Sequence, residues 1–202
     1  MVTMTHHAPR YDGLATGYDR AMRPLERWLV ARLRARAFAE IGEGARLVEV
    51  GAGTGANFAH YPRGAAGACV ELSAEMLKVA RGKERPAGFT LVEARAEALP
   101  FADATFDAGL ATLVFCSVES PQKSFAELRR VVRAGGRVVL IEHVRPRGAL
   151  GFLFDAVNPL TTWLLDDHFN RRTAEGARRA GLRVVRVDSH ALGIVQLIVC
   201  EV

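Results

Sequence analysis

Arg46-Leu-Val-Glu-Val-Gly-Ala-Gly-Thr-Gly55 is the stretch from which the fold can be read. Leu47, Val48 and Val50 form a short apolar run that ends in three alternate glycines, Gly51, Gly53 and Gly55. This is the pattern of a buried strand turning sharply into a helix. Glycine accepts positive φ, and without a Cβ it lets a ligand lie against the main chain. The N–H groups that open the following helix would then face an anionic group of that ligand. Glu49 stands inside the strand, just before the loop. Its carboxylate would repel a dinucleotide pyrophosphate and suits a ligand carrying positive charge.

The loop alone does not decide the ligand. Gly51, Gly53 and Ala56 also fit the G-x-G-x-x-G/A pattern, so nicotinamide or flavin binding stays open at this point. Further along, Gly67-Ala-Cys-Val-Glu-Leu72 reads as a second strand that ends at Glu71. A carboxylate there can accept both hydroxyls of a ribose, and a solvated acid at a strand end is the plain alternative. Ser73 is placed to cap the next helix, with Met76 and Leu77 on its inner side.

The remaining elements follow from spacing. Tyr11 to Asp19 reads as a Gly-containing lead-in, and Pro24 as the first turn of a helix bearing Leu25, Trp28, Leu29 and Leu33 at helical intervals. Strands near Leu47, Ala68, Phe89 and Ala108 alternate with helices. Another helix follows Pro121 with Phe125, Leu128, Val131 and Val132; Gly135-Gly136 is expected to stop it before a fifth strand, Arg137 to Ile141. Such alternation predicts a parallel sheet with right-handed crossovers. The last two strands, Leu182 to Val187 and Ile194 to Val199, are joined by Asp188 to Gly193, too short for a crossover helix, so they should pair antiparallel. The expected architecture is an α/β, Rossmann-like, doubly wound seven-stranded sheet, mostly parallel with a C-terminal antiparallel hairpin. One domain over 1–202 is expected, with 1–40 as lead-in and helix and 145–170 as a lid-like insertion.

Composition excludes several classes of protein. At 202 residues and half hydrophobic, the chain can bury a full α/β core and is not generally disordered. The net charge of +5 and pI near 9.6 raise the question of nucleic acid. The basic residues are nearly all arginines spread among acids, with no zinc motif and no aromatic stacking platform, which argues against that partner. Cys69, Cys116 and Cys200 are odd in number and far apart, pointing to a reducing compartment and away from a disulfide scaffold or metal site. Met1 to Arg10 lacks an apolar core, so no signal peptide is read there, and no run of eighteen apolar residues exists. A cytoplasmic location is expected, and no obligate protein partner is evident.

After a third strand, Phe89 to Val92, comes Glu93-Ala-Arg-Ala-Glu-Ala-Leu-Pro-Phe101, then Ala102-Asp-Ala-Thr-Phe-Asp107 and an apolar strand. In this order the motifs resemble the class I S-adenosylmethionine-dependent methyltransferases of the small-molecule type, from Tyr11 to Val202. The resemblance implies S-adenosylmethionine as cofactor, whose ammonium and sulfonium are the positive charges that suit Glu49. It implies that Glu49 to Gly55 holds the methionine end, Glu71 the ribose, and Ala94 to Phe101 the adenine. Strand 4, after Phe106-Asp107, would line the reacting methyl. The implied cofactor contacts are Tyr18, Glu49, Gly51, Gly53, Gly55, Glu71, Leu72, Met76, Ala96, Glu97 and Thr112. Two residues depart from the pattern. Arg95 stands where the family usually has an Asp that accepts from the adenine amino group, and arginine has only donors. The Ala96 main chain with Glu97 is expected to read the adenine instead; stacking of Arg95 on the ring is the alternative. Ala134 replaces the proline of a Pro-Gly-Gly turn, a structural change. A catalytically silent binding protein and a nicotinamide-dependent oxidoreductase are the readings from other classes, and Glu49 speaks against the second.

Thr112-Leu-Val-Phe-Cys-Ser-Val-Glu-Ser-Pro121, Ala126 to Val131, Glu142-His-Val144 and Asn170-Arg-Arg-Thr173 are similar to methyltransferase-like proteins that act on alkyl thiols. The lead-in and Asn57-Phe-Ala-His-Tyr-Pro62 are similar to bacterial phosphatidylethanolamine N-methyltransferases as well. Both imply a small apolar or membrane-borne acceptor: a thiol methylated on sulfur, or alternatively a phospholipid amine or another N, O or C acceptor. Phe152, Phe154, Leu160, Trp163 and Leu164 are expected to form an apolar lid or a membrane-facing patch, with extra core as the alternative. The Arg-rich first helix (Arg20, Arg23, Arg27, Arg32, Arg34, Arg36, with Trp28) reads either as a solvated face or as an interfacial helix. Where the acceptor needs a general base, the candidates are His143, Asp166, Asp167 and His168. His143 comes first, because histidine titrates nearest neutrality; capping of the strand end is its alternative role. Cys116 reads as a wall residue. Arg145 or His143 could supply positive charge beside a thiolate, and no metal is required.

Overall fold

The structure, a computed structural model, describes residues 10–146, 148, 151–152, 154–159, 168 and 170–202. Its strands are β1 (Arg46–Val50), β2 (Ala66–Glu71), β3 (Phe89–Glu93), β4 (Phe106–Thr112), β5 (Val132–His143), β6 (Arg183–His190) and β7 (Val195–Glu201). They form one sheet in the order β3-β2-β1-β4-β5-β7-β6. The pairs among β1 to β5 are parallel, while β7 runs antiparallel to both β5 and β6. This is the expected Rossmann-like sheet with its terminal antiparallel hairpin.

Among the described residues it is covered by the α-helices α1 (Ala15–Leu25), α2 (Ala31–Ala39), α3 (Ala74–Arg81), α4 (Pro121–Val131) and α5 (Thr173–Arg179), and residues 154–159 are helical as well. The central strands are buried on both faces, which is why β1 reads as a nearly continuous apolar run. On one face Val48, Val50, Leu140 and Ile198 pack with Phe125 and Leu128 of α4 and Ala177 of α5. On the other, Leu47, Leu110, Ile141 and Leu197 pack with Leu33, Ala37 and Phe38 of α2 and Ala80 of α3. The strand order reverses between β1 and β4, and a crevice opens beyond the carboxyl ends of strands at such a point. Among the described residues, no helix is long and apolar enough to cross a membrane.

The glycine loop does not open an α-helix as expected: turns and a short 3-10 turn, Phe58–His60, lead from β1 to β2, so no helix N-terminus stands there. The structure corrects two further expectations. The first helix begins at Ala15 rather than at Pro24, which lies inside the last turn of α1. A π-helical turn, Glu26–Val30, follows directly and leads into α2. A π turn inserts extra arc per hydrogen bond and rotates the next face, so the simple helical spacing fails across it. Val30, Leu33 and Ala37 are buried, whereas Trp28 is 83% exposed and Leu25 is exposed too. The second correction concerns Gly135-Gly136. Helix α4 already ends at Val131, and the glycines sit inside β5 where its register against β4 shifts. Gly135 has φ +71°, and a Cβ on Gly136 would lie 2.6 Å from the Asp107 carbonyl oxygen. The pair permits a bulge and a close strand contact.

Candidate active site

The glycine loop leaves β1 at the switch point. Gly51, Gly53 and Gly55 all have positive φ, at +69°, +54° and +81°. A Cβ on Gly51 would strike Val114 at 2.3 Å, and one on Gly55 would strike Phe58 at 2.4 Å. Gly53 differs, because the Cβ direction there meets nothing within 4 Å among the described residues. Gly51 and Gly55 are therefore packing glycines, and Gly53 is the one that faces open space. Glu71, at the end of β2, turns back to this loop: Gly53 N–H donates to its Oε2 and Ser73 N–H to its Oε1, both at 2.9 Å. Burial pushes the Glu71 carboxyl above the usual carboxylate range, against the opposing pull of those N–H groups. Ser73 caps α3 as expected, accepting from Met76 N–H at 3.1 Å, and Met76 and Leu77 are buried. Leu72 lies exposed beside them.

The N-terminal elements reach across the same loop. Thr54 Oγ1 and Lys83 Nζ donate to Asp19, each at 2.5 Å, and Ser73 Oγ donates to Asp12. Burial opposes it, yet the bonds from Lys83 and Thr54 hold the Asp19 carboxyl below its usual range. Tyr18, half-buried, precedes Asp19 on α1.

Glu49 does not face the open side of the loop. It is 1% exposed, and Asn57 Nδ2 (2.7 Å) and the Tyr61 hydroxyl donate to its two oxygens. Burial raises its pKa, against these bonds and the nearby Arg34 charge. A chain of polar contacts runs on from there. Asn57 Nδ2 lies 3.2 Å from Thr112 Oγ1 at the end of β4, Arg34 donates to Asn57 Oδ1, and Arg34 Nε and Nη2 grip Glu26 at 2.8 and 3.0 Å. Arg34, expected on a solvated or interfacial face of the first helix, is 6% exposed because these two partners draw it inward, and Asn57 stands in a quoted motif without an assigned role.

The segment after β3 is held from α4. Arg130 donates to the carbonyls of Leu99 (3.0 Å) and Phe101 (2.7 Å), while Glu127 accepts from Leu99 N–H at 2.7 Å. Glu97 accepts from Ser120 N–H, at the start of α4, at 3.1 Å. Arg95 pairs with Glu119 and lies 3.8 Å from Glu97. Ala96, between them, packs against the core.

The turn after β4 carries a non-glycine residue in the left-handed region, Leu113 at φ +56°. Glu142, fully buried on β5, accepts from both Val114 N–H (3.0 Å) and Phe115 N–H (3.1 Å) through Oε1 and so fixes that turn. His143 is the last residue of β5 and is half-buried, opposite Val195 of β7. His168 N–H donates to the Cys116 carbonyl at 3.0 Å, which brings residue 168 to the same turn. Cys116 is buried, in keeping with a wall. Asp166, Asp167, Leu160, Trp163 and Leu164 lie outside the described residues. Arg145 is not available as a free charge beside an acceptor: Asp155 accepts from its Nε and Nη2 at 3.0 and 2.8 Å, and its guanidinium stacks 5.5 Å from the Phe152 ring centroid. That pairing ties the helical residues 154–159 to the end of β5.

A glycine loop at the switch point with an acid from β2 bound to it is the arrangement that the methyltransferase resemblance led us to expect. The family described as the methyltransferase domain matches residues 48–140. The chain is 34% identical over 140 residues to phosphatidylethanolamine N-methyltransferase of Cereibacter sphaeroides, covering 65% of this chain and 69% of that protein. It is 32% identical over 150 residues to thiol S-methyltransferase TMT1B of Rattus norvegicus, covering 70% of this chain; the match spans about three fifths, 62%, of that relative. The methyltransferase in the Trm112 activator complex of Haloferax volcanii superposes with a TM-score of 0.78 at 19% identity, covering 96% of this chain and 97% of that one, and it shares the fold. The chain belongs to the class I S-adenosylmethionine-dependent methyltransferases.

Proposed function

We propose that the protein transfers a methyl group from S-adenosylmethionine to the sulfur of a small apolar thiol. The observation that carries the methyl-transfer reading is the open face of Gly53 with its N–H bound to Glu71, a cradle that a nucleoside fits. Glu71 holds the ribose hydroxyls there, since a carboxylate oxygen that accepts one N–H retains capacity for a hydroxyl. Tyr18, Leu72 and Met76 border the same end, Thr112 lies on the methyl side, and Ala96 with Glu97 borders the adenine. Glu49 acts from behind the loop, by orienting Asn57 toward Thr112 rather than by direct contact. When bound, the cofactor supplies an electrophilic methyl that moves in line to the acceptor. Holding the acceptor in a near-attack pose can lower the barrier by about 7–11 kcal/mol. His143 takes the thiol proton, with His168, bonded to the turn after β4, as a further candidate. The thiol acceptor is supported by the likeness to a thiol S-methyltransferase and by the modest base that a thiol needs. A reducing, cytoplasmic setting fits three buried free cysteines.

A second reading, a phospholipid amine, is supported by the likeness to a phosphatidylethanolamine N-methyltransferase and by Trp28 and Phe152, 83% and 72% exposed, as membrane-facing side chains. Labelled S-adenosylmethionine, alkyl and aryl thiols and phosphatidylethanolamine vesicles in parallel assays separate the two. Thioether formation is expected; turnover of the vesicle lipid alone would refute the thiol. Calorimetry is expected to show S-adenosylhomocysteine binding and far weaker NAD binding, with Glu71→Ala losing roughly 1–3 kcal/mol of affinity for the former. An unchanged affinity in that variant removes the ribose assignment.

The adenine end is tested separately. Glu97→Ala is expected to weaken S-adenosylhomocysteine binding and to cost about 1 kcal/mol of stability through the lost Ser120 bond. Arg95→Ala should change both little, since its partner Glu119 is exposed. The reverse order of effects, seen by calorimetry and urea unfolding, favours stacking by Arg95.

A further inference from the structure

Among the described residues, the large apolar side chains most open to water are Leu192, 89% exposed, Trp28 and Phe152. Single exposed hydrophobics are ordinary, but these three stand on one end of the sheet. His143, the last residue of β5, lies opposite Val195, and Val195 lies opposite His190. The turn Ala191–Gly193 is therefore at the carboxyl end of β5. Two ion pairs set α2 beside β6. Arg186 Nη2 donates to Glu40 at 2.8 Å and Arg36 Nη2 to Asp188 at 2.5 Å, so α2 climbs toward its N-terminus as β6 climbs toward His190. Trp28, two turns before Arg36, is carried roughly 10 Å further in that direction at about 1.5 Å per residue. Phe152 stacks on Arg145, just past the end of β5. All three side chains thus stand on the end where the crevice opens. Leu192 has φ +58° and Ala191 φ +48°, values rare for residues that carry a side chain. The backbone is strained at a tip where Leu192 buries almost nothing, so packing does not account for it.

We propose that this end of the molecule docks on an anionic lipid surface, with Trp28, Leu192 and Phe152 entering the interface and the crevice facing the bilayer. Charge selects that partner. Arg20, Arg23, Arg27 and Arg32 are exposed along the run that carries Trp28, and none of them is in an ion pair among the described residues. Helix α1, which bears the first two, is tied across the glycine loop through Asp19 and Thr54. A second copy of the chain would bring the same cations to the contact, whereas anionic headgroups neutralise them. Each arginine beside an anionic leaflet raises affinity about fivefold, and tryptophan favours the boundary between water and lipid. Docked in this way, the protein takes its acceptor from the bilayer, whether an apolar thiol dissolved there or a headgroup amine. That consequence rests on the methyl-transfer reading; the docking itself does not.

Sedimentation with phosphatidylglycerol–phosphatidylcholine vesicles, against vesicles of phosphatidylcholine alone, tests the docking. Binding to the anionic vesicles is expected, weakened about tenfold in Leu192→Ser and in Trp28→Ser, both exposed positions that leave the core intact. Arg23→Ala/Arg27→Ala should lose about twenty-five-fold, because two leaflet contacts go. Arg63, before β2, and Arg81, at the end of α3, are exposed at the amino ends of the strands. Arg63→Ala/Arg81→Ala removes the same charge there and should bind within about twofold of the parent, since charges far from the leaflet are screened. In a Trp163→Phe background Trp28 is the sole tryptophan, and its emission should shift to the blue on anionic vesicles. Absence of vesicle binding, equal losses in the two arginine pairs, or an unshifted Trp28 emission overturns the proposal. A dimer that Leu192→Ser dissolves, without vesicle binding, overturns it too and gives this end to a second copy. S-Adenosylhomocysteine affinity in each variant reports separately on the methyltransferase site.

Discussion

Arg34→Ala lowers the free energy of unfolding by about 3–5 kcal/mol, the largest single effect expected. Arg34 is 6% exposed and links Glu26 to Asn57, and Asn57 in turn binds Glu49. Removing the cation leaves Glu26 without its partner and strips Glu49 of the charge that draws its pKa down. Arg34→Lys should recover only part of the loss, because an ammonium cannot reproduce the two-pronged grip on Glu26. The effect also carries a pH signature. The folded-state pKa of Glu49 is raised, so its contribution is favourable while it is protonated, below the unfolded value near 4.5, and is lost as pH rises toward the folded value. Without Arg34 that pKa rises further. The penalty of the variant should therefore be larger at neutral pH than near pH 4.5, a comparison made by urea unfolding at the two values. A penalty that does not change with pH shows that Glu49 is not coupled to Arg34.

The second large effect is expected from Glu142→Ala. One buried carboxyl oxygen receives two main-chain N–H groups, Val114 and Phe115, across the β4–β5 boundary. Each buried N–H left without an acceptor costs about 1–3 kcal/mol, which makes roughly 2–6 kcal/mol together. The damage reaches the glycine loop, because the Val114 methyls occupy the space where a Gly51 side chain would stand. Loss of stability and loss of S-adenosylhomocysteine affinity should thus appear together. Glu142→Gln retains an acceptor oxygen and should restore most of both. If Glu142→Gln is as damaging as Glu142→Ala, the carboxyl acts as more than an acceptor for the turn.

Local pattern carried the sheet and the glycine loop. Three alternate glycines after a Leu-Val-Val run, Glu71 at the next strand end and Ser73 before a helix are short-range signals, and each has a local physical cause. What the sequence does not display is which distant side chain satisfies which buried group. Glu142 serves N–H groups 27 and 28 residues away, and Arg130 reaches carbonyls 29 and 31 residues away. No spacing rule records such partners, because they exist only once strands and helices have met. The burial of Glu49 illustrates the same limit. Its position just before the loop was legible, but its direction was set by Asn57 and Tyr61 and by strand alternation that puts it on the face of Leu47, toward α2. The first helix was misread for a different reason: the π turn after Pro24 breaks the period on which helical patterning depends.

The place of β7 governs the order in which the chain can be assembled. Although β6 is made first, it touches the rest of the sheet only through β7, which lies between it and β5. During synthesis β6 emerges with no edge to join. The nascent chain must wait until the next strand clears the ribosome, then fold back through Ala191–Gly193 into a hairpin. Hairpin closure takes about 1–10 μs, whereas a ribosome adds about 5–20 residues each second, so the delay is set by translation and not by folding. In that interval the free edge of β5, with Val139, Leu140 and Ile141 in succession, stays open to a neighbouring chain. Closure by β7 ends this exposure.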